Sequence, residues 1–323
     1  MAVTMRDIAR AAQVDPSVVS AVLNGSKSIR VSEKKRELVL SLVKKMNYRP
    51  NITARSLITR KSFSVGLLFF STRDRFYAEM MGELQTQLMH RGYVGIYAFW
   101  NDDSEIDKAY STVLSRGVDG IITCHNDPTL IPKDTPTVIF GGYQPDFDCV
   151  QVDYQAAIRQ SLAYLTGLGH RKIGFLSASA GSQRYEFYRL LLGEFGLAFN
   201  PDWVGEGSGF FSDAYEAAIR LLKREDRPTA LIVKNDTAAI AAINAAGALG
   251  ISVPDDLSIL GFDNIEEAEY SRPPLTTNGN SIKSVVTLLI NTLFERMEEP
   301  EAPPRARMME AELIIRQSCA PPK

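Results

Sequence analysis

The chain has 323 residues, 45% of them hydrophobic and 23% charged, with a formal net charge of −2. That length favours two or three units each able to bury a core, and the balance excludes a disordered or collagen-like chain. No uninterrupted apolar run approaches the roughly 20 residues a spanning helix needs, and the opening Met-Ala-Val-Thr-Met-Arg-Asp lacks the apolar core of a secretory signal. The expectation is a cytoplasmic protein with no membrane partner.

Cys124, Cys149 and Cys319 are odd in number and widely spaced, and His90, His125 and His170 are equally scattered. Neither a disulfide framework nor a metal site is expected, and no cofactor motif occurs. The near-neutral total hides an asymmetry. Residues 1–62 carry 13 Lys and Arg against 4 Asp and Glu, a net of +9, while the remaining 23 basic and 34 acidic residues leave −11. A basic head on an acidic body points to a polyanion as partner of the head alone.

Three short helices are predicted in the head. Thr4 caps the first, which runs to about Ala12, with Asp7 three residues on as the reciprocal partner and Ile8, Ala9 and Ala12 on one side. Asp15 and Pro16 restart the chain as cap and first helical residue, and the second helix runs to Leu23 before Asn24-Gly25 stops it. Ser32 caps a third, in which Leu38, Val39, Leu42, Val43 and Met46 recur at helical spacing. Two helices joined by a tight turn and braced by a third make a helix-turn-helix, whose second helix offers its N-terminal residues to base edges in the major groove. On that helix Val19, Val22 and Leu23 are expected inside. Ser17, Val18 and Ala21 face outward, with Ser17 the hydrogen-bonding group and the other two offering apolar contact only.

Residues 51–58 follow Pro50 and are too few to hold a helix alone, since isolated helices shorter than about 12 residues are marginal in water. Beyond Lys61 the pattern alternates between short apolar runs (65–70, 94–99, 118–123, 137–140, then 173–177, 230–233 and 257–262) and amphipathic segments. Such runs imply parallel sheets covered by helices on both faces, and two series imply two lobes with a ligand in the crevice at the strands' carboxyl ends.

The motifs Met5-Arg-Asp-Ile-Ala-Arg-Ala-Ala-Gln-Val14, Val19-Ser-Ala-Val-Leu-Asn-Gly25, Asn47-Tyr-Arg-Pro-Asn51 and Ala54-Arg-Ser-Leu57 occur in order, and together they resemble the signature of the LacI/GalR family. The likeness continues through Gly167-Leu-Gly-His-Arg-Lys-Ile-Gly174, Asn235-Asp236, Val253-Pro-Asp-Asp-Leu-Ser258, Gly261-Phe-Asp-Asn264 and Pro274-Leu-Thr-Thr277. It implies an all-α helix-turn-helix headpiece plus a periplasmic-binding-protein-like α/β core of two parallel-sheet lobes. The implied division is a DNA-binding domain over 1–50, a hinge helix and linker over 51–62, and an effector-binding domain over 63–323. Lobe 1 takes about 63–152 and 282–308, lobe 2 about 153–279 and 309–320, with crossovers near 152–153, 279–282 and 308–311.

The resemblance also implies a homodimer on double-stranded operator DNA, contacted by Thr4, Ser17, Val18, Ser20, Ala21, Asn24, Ala54 and Leu57. Leu57 matches a leucine wedged between base steps. Effector contacts carry over to Phe76, Tyr77, Arg184, Asn235, Asp236, Asp263 and Asn280, for a sugar or sugar derivative, alternatively a nucleobase. Four of them have a rival reading: Phe76 and Tyr77 as core aromatics, Asp236 as a helix cap, Arg189 in place of Arg184. Phe187 stands where relatives have glycine, Asn280 where they often have glutamine, and Gly142-Tyr143 where they commonly have Asp-Arg. An enzyme is the competing class, but GxxxxGK(S/T), GxSxG and HExxH are all missing, and Gly205-x-Gly207-x-Gly209 misses the dinucleotide spacing. A stand-alone solute-binding protein fails on the basic head. Ala320-Pro-Pro-Lys323 leaves no heptad tail for a tetramer.

Overall fold

Helix α1 (Met5–Ala12) begins at an extended Thr4. The Thr4 hydroxyl accepts the Asp7 N–H at 3.3 Å, and the Asp7 carboxylate accepts the Thr4 N–H at 2.9 Å, so two of the first turn's orphan donors are satisfied reciprocally. Gln13 ends the helix with a left-handed φ of 52°. Helix α2 (Pro16–Leu23) starts as Asp15 accepts the Ser17 N–H at 2.8 Å. Helix α3 (Glu33–Lys45) follows Ser32, which holds the N-cap position but makes no side-chain cap bond.

Ile8, Ala9, Ala12, Val19, Val22, Val39 and Tyr48 form the headpiece core, with Leu42, Val43 and Met46 packed at its edge. Leu38 departs from expectation, being 44% exposed. The inward stripe on α3 is 39, 42, 43, 46, and at about 100° per residue Leu38 lies just outside it.

The computed structural model of the chain describes residues 3–23, 29–48, 56, 59–70, 74–100, 102–179 and 181–323, which fall into two units, Met1–Ser62 and Phe63–Lys323. In the second unit β1 (Ser64–Phe70), α4 (Arg75–His90), β2 (Val94–Trp100), α5 (Ile106–Leu114), β3 (Gly120–Thr123), β4 (Thr137–Phe140) and β5 (Asp148–Val152) come first. Next are α6 (Tyr154–Gly167), β6 (Ile173–Ala178), α7 (Gln183–Leu191), β7 (Val204–Glu206), α8 (Phe211–Leu222), β8 (Ala230–Val233), α9 (Asp236–Ala248), β9 (Ser258–Phe262), α10 (Glu266–Tyr270) and β10 (Thr276–Gly279). Helix α11 (Ile282–Glu298), β11 (Ala306–Met309) and β12 (Glu312–Ile314) complete it.

The strands make two sheets, ordered β11-β5-β4-β3-β1-β2 and β12-β10-β9-β8-β6-β7. The chain thus leaves the first sheet after β5, returns after β10 to lay α11 on it, and crosses again between β11 and β12. Alternate residues serve opposite faces: Val65, Leu67 and Phe69 pack with α4 and α11, while Leu68 packs with Tyr110 and Val113 of α5. In the second sheet Leu231 and Val233 face the alanine-rich α9, and Ala230 and Ile232 face α6 and α7.

The first sheet is wholly parallel, but the second is not: β12 runs antiparallel to β10. The reason is geometric. β11 ends at the carboxyl edge of its own sheet, so a short link carries the chain into the second sheet from that sheet's carboxyl edge, against the direction of its parallel strands.

Candidate functional site

On the headpiece, Ser17 is exposed and Val18 and Ser20 are half-buried. The Ser17 hydroxyl donates to Asp15 at 2.6 Å, so its proton is engaged by the cap and its lone pairs are what it can offer a base. Those hydrogen bonds from Ser17 hold the Asp15 carboxyl below its usual range. Thr4 is exposed and gives its hydroxyl proton to Asp7 at 2.7 Å. Ala21 corrects the outward assignment: it is 4% exposed, its methyl group sitting close to the helix backbone. Asn24, Ala54 and Leu57 lie outside the described residues. Exposed Arg6, Arg10, Arg30, Lys34, Lys35, Lys44 and Lys45 give this unit its positive surface.

In the second unit a cavity of about 550 Å³ opens between the two sheets. Its lining comes from strand ends: Phe70, Trp100 and Phe140 close β1, β2 and β4, whereas Ser179, Lys234 and Asp263 follow β6, β8 and β9. The two walls differ. The first-sheet wall is mainly aromatic, with Phe70, Phe76, Tyr77, Trp100 and Phe140 beside Asp74, Cys124, His125 and Asn126; the second-sheet wall is mainly polar, with Ser179, Ser182, Gln183, Arg184, Ser208, Lys234, Asn235 and Asp263 beside Tyr154 and Phe210.

Arg184, in the first turn of α7, is fixed from several sides. One guanidinium nitrogen donates to Asp263 at 2.9 Å, another to the Lys234 carbonyl at 2.7 Å, and the plane lies over the rings of Phe262 and Tyr154 at 4.1 and 4.6 Å. Its Nε is buried with no hydrogen-bond partner among the described residues. Asp263 is held at a φ of 106°, a conformation that costs a non-glycine residue energy and persists only where the surroundings enforce it. Burial pushes its carboxyl up to about 7, with the Arg184 charge pulling the other way. Phe76 and Tyr77 line the cavity and serve the core as well: Phe76 stacks on Phe140 at 5.9 Å, Tyr77 meets Phe76 edge-on at 5.6 Å, and Phe76 touches the cores of both lobes. Arg75 beside them pairs with Glu267 of the other lobe.

Asn235 lines the cavity while capping α9, its side chain accepting the Ala238 N–H at 2.9 Å. The next residue, Asp236, is turned away from the cavity. Fully buried, it accepts the Ile265 N–H at 3.0 Å and the Thr277 hydroxyl at 2.6 Å, in space that Gly261 leaves open. It therefore corrects both expectations, being neither a cavity residue nor the cap. Burial drives its carboxyl well above the usual range. Asn280 is also outside the lining: it follows β10, next to the edge strand, and its amide donates to the Glu310 carbonyl at 2.6 Å, tying two interlobe connections together. Arg189 is exposed against Tyr185 and Phe199 and does not reach the cavity.

Asp74, Trp100, Lys234, Ser179 and Ser208 were not singled out by sequence. Asp74 caps α4 by accepting the Phe76 N–H at 2.9 Å, and burial raises its carboxyl. A charged residue at a strand end was the only signal available for Asp74 or Lys234.

Residues 4–51 match the model of bacterial regulatory proteins of the lacI family, and residues 162–319 match a periplasmic binding protein-like domain. The chain is 32% identical to the ribose operon repressor of Haemophilus influenzae and 31% identical to the transcriptional repressor PurR of Mannheimia succiniciproducens, with 98% of each chain covered in both cases. Among solved structures it resembles the lac repressor dimer bound to operator and the anti-inducer ONPF, with a TM-score of 0.85 and 21% identity over 99% of this chain and 100% of that one. It also resembles a cellobiose complex of the transcriptional regulator CelR, with a TM-score of 0.73 and 25% identity over 98% and 99%. The chain belongs to the lacI family of bacterial regulatory proteins.

Proposed function

We infer that the chain is a DNA-binding transcriptional repressor whose hold on its operator is set by a small molecule in the interlobe cavity. The observation that carries this is the cavity itself: strand ends of two sheets converge on a fixed Arg184–Asp263 pair facing an aromatic wall, in a chain that also contains a helix-turn-helix. Its relatives are named as repressors of a ribose operon and of the PurR type, which supports regulation over catalysis and a sugar or sugar derivative as ligand. The aromatic wall also suits a flat nucleobase, which remains the second reading.

The working unit is a homodimer acting in the cytoplasm on a pseudo-palindromic duplex, through residues 1–50 and a hinge over 51–62. Asp263, Arg184 and Asn235 orient the ligand's polar groups; Phe76 and Tyr77 pack on its body. A ligand touching both walls favours one lobe orientation, and that bias is passed to residues 51–62, where the two copies pair or separate. Coupling is reciprocal, so a ligand that releases operator binds the operator-bound form more weakly by the same factor.

The test is selection of duplexes from a random-sequence pool with the full chain, followed by anisotropy titrations with and without sugars and purines. A pseudo-palindrome should emerge whose affinity falls steeply with salt and changes when a cavity ligand is added. A protein that enriches no sequence, or whose operator affinity no cavity ligand alters, contradicts the assignment.

A further inference from the structure

We propose that the ligand of this cavity carries an anionic group, a carboxylate or a phosphate monoester, received by Lys234 on the second-sheet wall. The inference rests on the reading of the cavity as the effector site and specifies its ligand. It comes from the carboxylates, the guanidinium and the ammonium that line the space. Asp263 is paired with Arg184 at 2.9 Å. Asp74 sits on the N-terminus of α4, where the Phe76 N–H and the helix dipole already offset its charge. Lys234 has no such partner. Its ammonium donates to the Ser179 hydroxyl at 3.2 Å and the Ser208 carbonyl at 3.4 Å, and among the described residues no carboxylate lies within 4.0 Å of it.

A cation whose hydrogen bonds all go to neutral acceptors lacks the direct pairing that best offsets its desolvation, so a bound anion gains from it. Burial, then the neighbouring Arg184, lower the Lys234 pKa, while Asp74 and Asp263 act to keep it charged. The surroundings suit the same group. Ser179 supplies a hydroxyl within reach of the ammonium, and Ser182 and Gln183, at the start of α7, line the cavity there with no side chain capping that helix. On α4 and α9, by contrast, Asp74 and Asn235 occupy the corresponding place. The division of labour is then clear: Lys234 takes the anion, Asp263 and Asp74 accept from hydroxyls, and the aromatic wall covers the apolar face of the ring.

The experiment is a thermal-shift screen of the full chain against neutral sugars, sugar acids, sugar phosphates and purines. Hits are then titrated calorimetrically with the parent, K234M and K234R. The expected result is that the hits are sugar acids or sugar phosphates, which the two arms tell apart. Their affinity should drop roughly 10- to 100-fold in K234M, the worth of one charge-assisted hydrogen bond, and stay within a fewfold in K234R. A melting curve of unliganded K234M separates lost binding from lost folding. The proposal is overturned if a neutral sugar or a purine binds at least as tightly as every anionic compound, if K234M binds an anionic hit as well as the parent does, or if no anionic compound raises the melting temperature. Operator affinity is scored separately with each hit: an anionic ligand that leaves it unchanged counts against the sensing role and not the anion chemistry, and a neutral ligand that releases operator does the reverse.

Discussion

The headpiece draws its core from residues between Ile8 and Tyr48, whereas the cavity takes Asp74, Arg184, Lys234 and Asp263 from four strand-end segments, the Arg184–Asp263 pair alone joining positions 79 apart. The consequences are opposite. A unit of about 60 residues buries so little surface that its folding depends on each core side chain. A cavity assembled from many well-packed segments loses binding when one lining residue changes, and keeps its fold.

That contrast can be broken from either side. Ile8 is fully buried, and Ile8→Ala should cost about 2–4 kcal/mol, close to all the stability a core that small supplies. Operator binding should vanish while calorimetric ligand affinity is unchanged; an unaltered operator affinity would mean the headpiece is held by something other than its own core. Asp236→Ala probes the other unit. Stranding the Ile265 N–H and the Thr277 hydroxyl should cost about 2–3 kcal/mol and lower the melting transition of 63–323 alone, as followed by calorimetry. Thr4→Ala removes one half of a cap and should cost about 1 kcal/mol of headpiece stability in a denaturant titration, with no effect on the cavity.

A further effect is one of pH. The Asp263 carboxyl lies near 7 in the folded chain against an ordinary 3.8, so the folded state holds its proton more tightly than the unfolded state does. The contribution is full below about 4 and is lost as pH rises through about 7. Asp263→Asn should therefore gain stability relative to the parent as pH is raised across that window, in paired denaturation curves. The reverse slope would mean that the Arg184 charge outweighs burial.

The same contrast governs how much could be read from sequence. Thr4 with Asp7, and Asp15 with Pro16, act over two or three residues, so their roles follow from spacing alone. Seven strands were legible because they are short, continuous apolar runs, whereas β5, β7, β10, β11 and β12 carry polar or charged residues and lack that signal. Leu38 and Ala21 were misplaced because periodicity locates a stripe only to within about one residue, and burial of a methyl group depends on its neighbours. Asp236 was misread because its direction is set by Thr277 and by the gap at Gly261, both remote in sequence. Lys234 and Asp74 passed unnoticed since their chemistry exists only after separate strand ends meet. Arg184 and Asp263 stood out through a family pattern, and only coordinates could pair them.

The division of labour is most directly tested by removing residues 1–61 and measuring duplex and ligand affinities on the same preparation. Loss of all sequence-specific DNA binding with an unchanged ligand dissociation constant is the expected result. Residual operator affinity in 62–323, or a ligand affinity that collapses with the deletion, would contradict it.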